Sequence, residues 1–161
     1  LELEIDLEDW PEGEWEALAQ RAADAAARAE PALANDRLSV SILFTSDSEV
    51  HALNREWRGR DKPTNVLSFP MMERAELEGL GEDGPPAMLG DIALAHETCA
   101  REAGEKDIPL DHHGAHLIVH GLLHLAGHDH VHCDEQAQVM EDLERSALAI
   151  MGIADPYNDA D

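Results

Sequence analysis

The segment His120-Gly-Leu-Leu-His124-Leu-Ala-Gly127-His128-Asp129-His130 has side chains suited to metal chemistry. On a helix, His120 and His124 stand one turn apart on one face, with Cβ atoms roughly 5–6 Å apart, so both imidazoles can grip one ion. Gly127 can take the left-handed conformation that ends a helix and turns the chain back, bringing His130 towards the same ion. Three neutral imidazoles leave one position of a tetrahedral Zn2+ open, as in catalytic zinc sites and unlike closed structural ones. The expectation is one zinc ion per chain on His120, His124 and His130. Most of the ten histidines fall within residues 112–132. His116, one turn before His120, is expected to pack or face water, although it could extend the site. Asp129 either accepts a hydrogen bond from a ligand imidazole or shapes the turn.

The spacing H-x-x-x-H-x-x-G-x-x-H is that of the metzincin proteases, which carry Glu directly after the first His as the base for the attacking water. Gly121 stands there and has no side chain. A metzincin-like metallopeptidase therefore becomes the alternative. A protein with a purely structural zinc is a further alternative, since His128 or Cys133 could close the tetrahedron.

These residues need a frame. Residues 1–7 alternate apolar and acidic side chains, as a half-buried strand does. An Ala-rich helix opens at Pro11 and runs to about Glu30, before Pro31. Residues 38–44 read as a second strand. Ser46 followed by Glu49 fits a capping box that starts a helix through Trp57, ending at Gly59. Residues 65–69 make a third strand, and residues 73–90, rich in Gly and Pro, an exposed loop. Residues 89–95 make a fourth strand, followed by a short helix to about Ala103. Asp111 is expected to cap the histidine helix, which runs to Ala126, and a last helix covers 134–151. The expectation is one α+β domain over 1–161, with an acidic tail from about 153, a four-stranded sheet and about five helices. The histidine helix resembles those of zinc hydrolases, and Leu122, Leu123 and Leu125 would hold it against the core.

The chain of 161 residues carries 11 Lys and Arg against 35 Asp and Glu, a formal charge of −24. Such a surface repels polyanions, which argues against a broad basic face and against DNA as a partner. Yet Arg55, Arg58, Arg60 and Lys62 share one short segment and could form a local positive site. Six aromatic residues give little for base stacking. No stretch is apolar enough to span a membrane, and the first residues do not resemble a secretory signal. Two cysteines make no disulfide framework. A soluble cytoplasmic protein is the expectation. Met71, Met72 and Met88 read as packing or loop residues, Cys133 as an incidental thiol, and Asp91 as a site support or a cap.

Residues 120–130 resemble the histidine motif of the YbeY family of metal-dependent endoribonucleases. Arg58-Gly-Arg-Asp-Lys-Pro-Thr-Asn-Val-Leu-Ser-Phe-Pro70 is similar to that family's second signature, Leu89-Gly-Asp-Ile92 to its third, and Asp155-Pro-Tyr157 to its close. His128 departs from the family, where Tyr is commonest; it is kept as a spare ligand or a residue behind the ligands. The resemblance implies a zinc-dependent, single-strand endoribonuclease in ribosomal RNA processing, especially small-subunit 3′-end maturation, and in ribosome quality control. It implies zinc on His120, His124 and His130 and a functional arginine at Arg58. Alone, Arg58 reads as a helix-end cation; beside a metal site, its guanidinium suits a phosphoryl group, with Arg60 and Lys62 on flanking phosphates. The expected partners are ribosomal RNA precursor and basic ribosomal proteins or assembly factors. In this setting the structural-zinc alternative becomes a non-catalytic ribosome-assembly protein.

Overall fold

The alternation Leu3-Glu4-Ile5-Asp6 builds β1 (Glu2–Leu7), whose apolar side chains turn to the core while its acids face water. The computed structural model describes residues 1–61, 64–128 and 134–157. After β1 come α1 (Trp15–Ala29), a 3-10 turn (Pro31–Leu33), β2 (Leu38–Thr45), α2 (Asp47–Arg58) and β3 (Val66–Pro70). Then follow α3 (Arg74–Glu78), β4 (Ala87–Ala95), α4 (His96–Lys106), α5 (Leu110–Leu125) and α6 (Asp134–Ile150). The sheet order is β1-β2-β4-β3. The first three strands of that order are parallel, and β3 runs antiparallel to β4 at the edge. α1 supplies the crossover that the parallel β1–β2 pair requires.

Strand periodicity divides the sheet into two faces. Leu38, Val40, Ile42 and Phe44 of β2, with Ile92 and Leu94 of β4, meet α1, α5 and α6 in the main core. Ala19, Ala22, Ala23 and Ala26 line the buried side of α1. On the other face Val50 of α2 covers Leu67, Ala93 and Ala95, with Leu43, Leu53 and Phe69 packed beside them. This second layer is one helix wide, so part of that face meets solvent.

The expected α+β domain with a four-stranded sheet is the observed one, with six α-helices among the described residues. Ser46 caps α2 as expected, its hydroxyl accepting from the Glu49 amide at 3.2 Å. Gly59 closes the helix at φ 67°. Three boundaries need correction. α1 begins at Trp15, not Pro11, because the Trp15 indole donates to the Pro11 carbonyl at 2.8 Å and holds the entry segment outside the helix. The segment 73–90 is not all loop: Glu73 and Glu76 form a reciprocal capping box that starts the one-turn α3, and β4 already begins at Ala87. Pro109 precedes α5, which places Asp111 in its first turn instead of at the cap. Among the described residues, no helix is long and apolar enough to cross a membrane.

Candidate metal centre

α5 passes through the middle of the helical layer, and 11 of its 16 residues are buried, so side chains on it inherit a rigid support. Leu122, Leu123 and Leu125 anchor it as the sequence implies. Gly121 faces the sheet: a Cβ there would lie 3.0 Å from Cδ1 of Ile92 on β4. At the position that holds the metzincin glutamate, a side chain would start against Ile92 and push it aside, which explains the glycine in terms of helix–sheet contact.

His120 and His124 occupy successive turns of α5 and are half-buried. Each is held at Nδ1. His120 Nδ1 lies 3.5 Å from Oε2 of Glu144 on α6, and His124 Nδ1 lies 2.5 Å from the hydroxyl of Ser68 on β3. The Glu144 carboxylate can only accept, so at His120 the Nδ1 proton points to it and leaves the neutral ring's lone pair on Nε2; at His124 the Ser68 hydroxyl allows the same arrangement, the one in which a histidine coordinates metal through Nε2.

Glu144 is 1% exposed. It accepts from His116 Nε2 at 2.6 Å and from the Tyr157 hydroxyl at 2.8 Å. Burial by itself raises its pKa, but the bonds from His116 and His120 outweigh this and bring the carboxyl down to about 2. Burial and the neighbouring carboxylate push the Tyr157 phenol up, so it stays protonated and donates. His116, expected to pack or face water, is buried and joins His120 through this shared carboxylate. The anionic group that stands behind His120 is thus Glu144 of α6, a residue the sequence reading did not single out.

Beyond the pair, Gly127 (φ 102°) turns the chain as the sequence predicts. The His128 amide bonds the Leu123 carbonyl and the Gly127 amide the His124 carbonyl, both at 3.0 Å, the double bond of a Schellman ending. Arg74 of α3 donates to the Ala126 carbonyl at 2.8 Å and lies 3.4 Å from Glu30. His128 Nε2 contacts Glu30 at 2.5 Å, so this nitrogen is engaged away from the pair, against the spare-ligand expectation. His130, Asp129, Cys133 and Lys62 lie outside the described residues. Among the described residues, no third His, Cys, Asp or Glu completes a three-donor cluster.

Arg58 ends α2 with its guanidinium carbon 5.8 Å from the Phe69 ring centroid. Phe69 follows Ser68 in β3, and successive strand residues point to opposite faces; Arg58 is therefore across the edge strand from His124. Arg60 is exposed, its amide bonded to the Asn54 carbonyl at 3.2 Å. Asp91 lies on the α2 face of β4 and does not support the histidines. Sequence reasoning missed Glu144, Ser68 and Tyr157. A signal for Glu144 was present: Met140, Glu144, Ala147 and Leu148 share the buried stripe of α6, and a carboxylate on such a stripe demands partners.

The arrangement defines a class: a histidine-helix α+β protein, with paired imidazoles on the central helix and oxygen partners from a neighbouring helix and strand. Residues 3–152 match the family described as Endoribonuclease YbeY. A protein named Endoribonuclease YbeY from Erythrobacter litoralis is 66% identical over 99% of both chains. Another of that name, from Novosphingobium aromaticivorans, is 55% identical over 96% of this chain and 95% of its own. The solution structure of TM1509 from Thermotoga maritima shares the fold, with a TM-score of 0.56 at 22% identity, over 96% of this chain and 99% of that one. The chain belongs to the endoribonuclease YbeY family.

Proposed function

We propose that this protein is a zinc-dependent endoribonuclease that cleaves single-stranded segments of ribosomal RNA precursors, above all in maturing the small-subunit 3′ end and in ribosome quality control. The observation that carries the reading is the imidazole pair His120–His124, each ring held at Nδ1 by an oxygen partner, in a chain of this family. A donor set of imidazoles suits zinc. His120, His124 and His130 would hold the ion, which when bound supplies Lewis-acid polarisation of a phosphoryl oxygen and eases deprotonation of water.

The chain's own residues supply the rest. Glu144 and Ser68 fix the imidazole orientations before substrate arrives, so no reorganisation is needed at the reacting centre. Arg58 approaches from the other side of the edge strand β3, where its guanidinium can offer two parallel N–H donors to the phosphoryl oxygens of RNA that rounds this edge towards the histidines; Arg60 and Lys62 bind neighbouring phosphates. Gly121, packed close to Ile92, supports phosphodiester over peptide chemistry, because the peptidase base is missing there and a side chain would press on Ile92. At −24 the chain needs basic ribosomal proteins or assembly factors to hold it on RNA at physiological salt.

The test is cleavage of ribosomal RNA precursor by purified protein, with and without chelator, beside an unstructured peptide. RNA cleavage that is abolished by chelator and restored by zinc is expected, with the peptide intact. Elemental analysis should show one zinc per chain, lost in His120→Ala and His124→Ala. Full zinc retention in both variants, or zinc-dependent peptide cleavage without RNA cleavage, overturns the reading.

A further inference from the structure

On the sheet face away from α5, where α2 covers only part of the strands, lies a groove of about 490 Å³. Leu43, Leu53, Trp57, Phe69, Met71 and Asp91 line it. Its walls include two large apolar side chains that the fold does not use: Trp57 is 68% exposed and Met71 58%. Exposing an indole to water is unfavourable, and nothing in the packing of α2 requires it. Trp57 is also the aromatic residue of the chain's basic segment. Arg55, Arg58 and Arg60 flank it, all exposed, and Arg58 lies over Phe69 at the groove's edge. Of the acids in the segment, Asp61 is held by His51 at 2.7 Å and Glu56 stands exposed on α2.

Charge decides the occupant. The surface as a whole repels phosphate, and here cations and an exposed aromatic face coincide, the combination that holds single-stranded nucleic acid by stacking and backbone contact. Asp91, the cross-strand partner of Phe69, and Asp6 put carboxylates in the groove itself, which keeps phosphate on the arginine rim and leaves the interior to an uncharged base. A duplex cannot supply such a base without unstacking it. Ser68 and Phe69 are neighbours in the edge strand β3 with side chains on opposite faces, so RNA that rounds this edge meets the groove on one side and the histidines on the other.

We propose that Trp57, Phe69 and Met71 form a subsite for an unstacked base of single-stranded RNA, with Arg58 and Arg60 on the adjoining phosphates. The proposal rests on the ribonuclease reading and adds a base-binding platform on the opposite face of the edge strand from the histidines. It makes Trp57 a binding residue and accounts for single-strand selectivity by the need for a free base face.

The test titrates the full chain with a short single-stranded 2′-O-methyl RNA and with the same oligomer carrying abasic sites, following tryptophan emission and the anisotropy of a label on the oligomer. Trp10 and Trp15 pack against each other and Phe44 in the core, so a change on binding reports Trp57. The intact oligomer should quench the emission and the abasic one should not. Trp57→Ala should weaken binding of the intact oligomer roughly 5- to 100-fold, the range for loss of one stacked base. Trp57→Phe should retain most of the affinity, and neither variant should shift the melting temperature. Parent-like binding by Trp57→Ala, or equal quenching by the abasic oligomer, overturns the subsite while leaving the RNA reading intact; the groove then falls to a protein partner or a second copy. A parent chain that binds neither oligomer and cleaves no RNA overturns both.

Discussion

Glu144→Gln tests how the histidine pair is held. The substitution keeps the side chain's size and one acceptor oxygen but removes the charge from a site that is 1% exposed. Burial raises the carboxyl, yet His116 and His120 carry it from 4.5 down to about 2. That is a difference of roughly 2.5 units, or about 3 kcal/mol by which the fold favours the ionised form. The amide oxygen retains part of this by accepting from His116 or Tyr157, so a loss of about 2 kcal/mol is expected. In a domain of this size that lowers Tm by roughly 4–8 °C. Because Glu144 also orients His120, zinc affinity should fall roughly 10- to 100-fold. Glu144→Ala is harsher, leaving the buried His116 Nε2 with only the Tyr157 hydroxyl at 3.3 Å as a partner and both groups without the carboxylate, at a cost of about 1–3 kcal/mol. Thermal melts of the metal-free protein and competition with a chromophoric chelator measure the two effects separately. Parent-like melting and parent-like zinc affinity in Glu144→Gln would refute the argument that this carboxylate holds the site.

Arg58→Ala should leave zinc content unchanged while slowing single-turnover RNA cleavage by about 10²–10³, and Arg58→Lys should recover only part of the rate; a parent rate in the alanine variant makes Arg58 a helix-end cation. The pH dependence of stability should include the pair of buried His113 and half-buried Glu102, bonded at 2.8 Å. Burial drives His113 below its ordinary 6.5 despite Glu102. Burial raises Glu102, but His113 and Asn65 carry it below 4.5. Both folded values lie below the unfolded ones, so stability is full above about pH 6.5, then falls first as unfolded His113 takes up its proton and again as pH drops below about 4.5. His113→Gln should flatten the upper part of that fall in urea titrations, and an unchanged slope would sink the assignment. Gly121→Ala places a methyl 3.0 Å from Ile92 and should cost about 1–2 kcal/mol in urea unfolding, with Gly121→Glu worse and still no peptidase; a parent-like midpoint for the glutamate variant would show that the position has room after all.

Local rules carried the sequence reading furthest. The Ser46 cap, Gly59 and Gly127, together with the alternation in β1 and β2, are decided by neighbouring residues, and the structure places them where the residues imply. α3 was missed because one turn is too short to show a period and its cap is built from glutamates, not from Ser or Asp. The histidine pair was legible because both members lie on one helix. The roles of Ser68 and Tyr157 were not, since a partner from another strand or closing segment leaves no spacing signature; Glu144 showed only as a carboxylate on the apolar stripe of α6, with nothing local to name its partners. Sheet order was invisible for the same reason: nothing local says that β4 intervenes between β2 and β3.

Arg74, Glu30 and His128 come from three distant stretches of the chain yet form one electrostatic unit at the exit of α5. Burial raises the Glu30 carboxyl, but bonds from His128 and Arg74 bring it below its ordinary value. Each member is thus acceptable because of the other two, and their substitutions should be non-additive. The consequence is evolutionary. A tyrosine at position 128 would keep a donor for Glu30, whereas an apolar residue would leave the acid beside Arg74 alone. Exchanges at 30, 74 and 128 should therefore occur together in descendants of this sequence, a covarying trio that marks a shared charge and not a shared reaction.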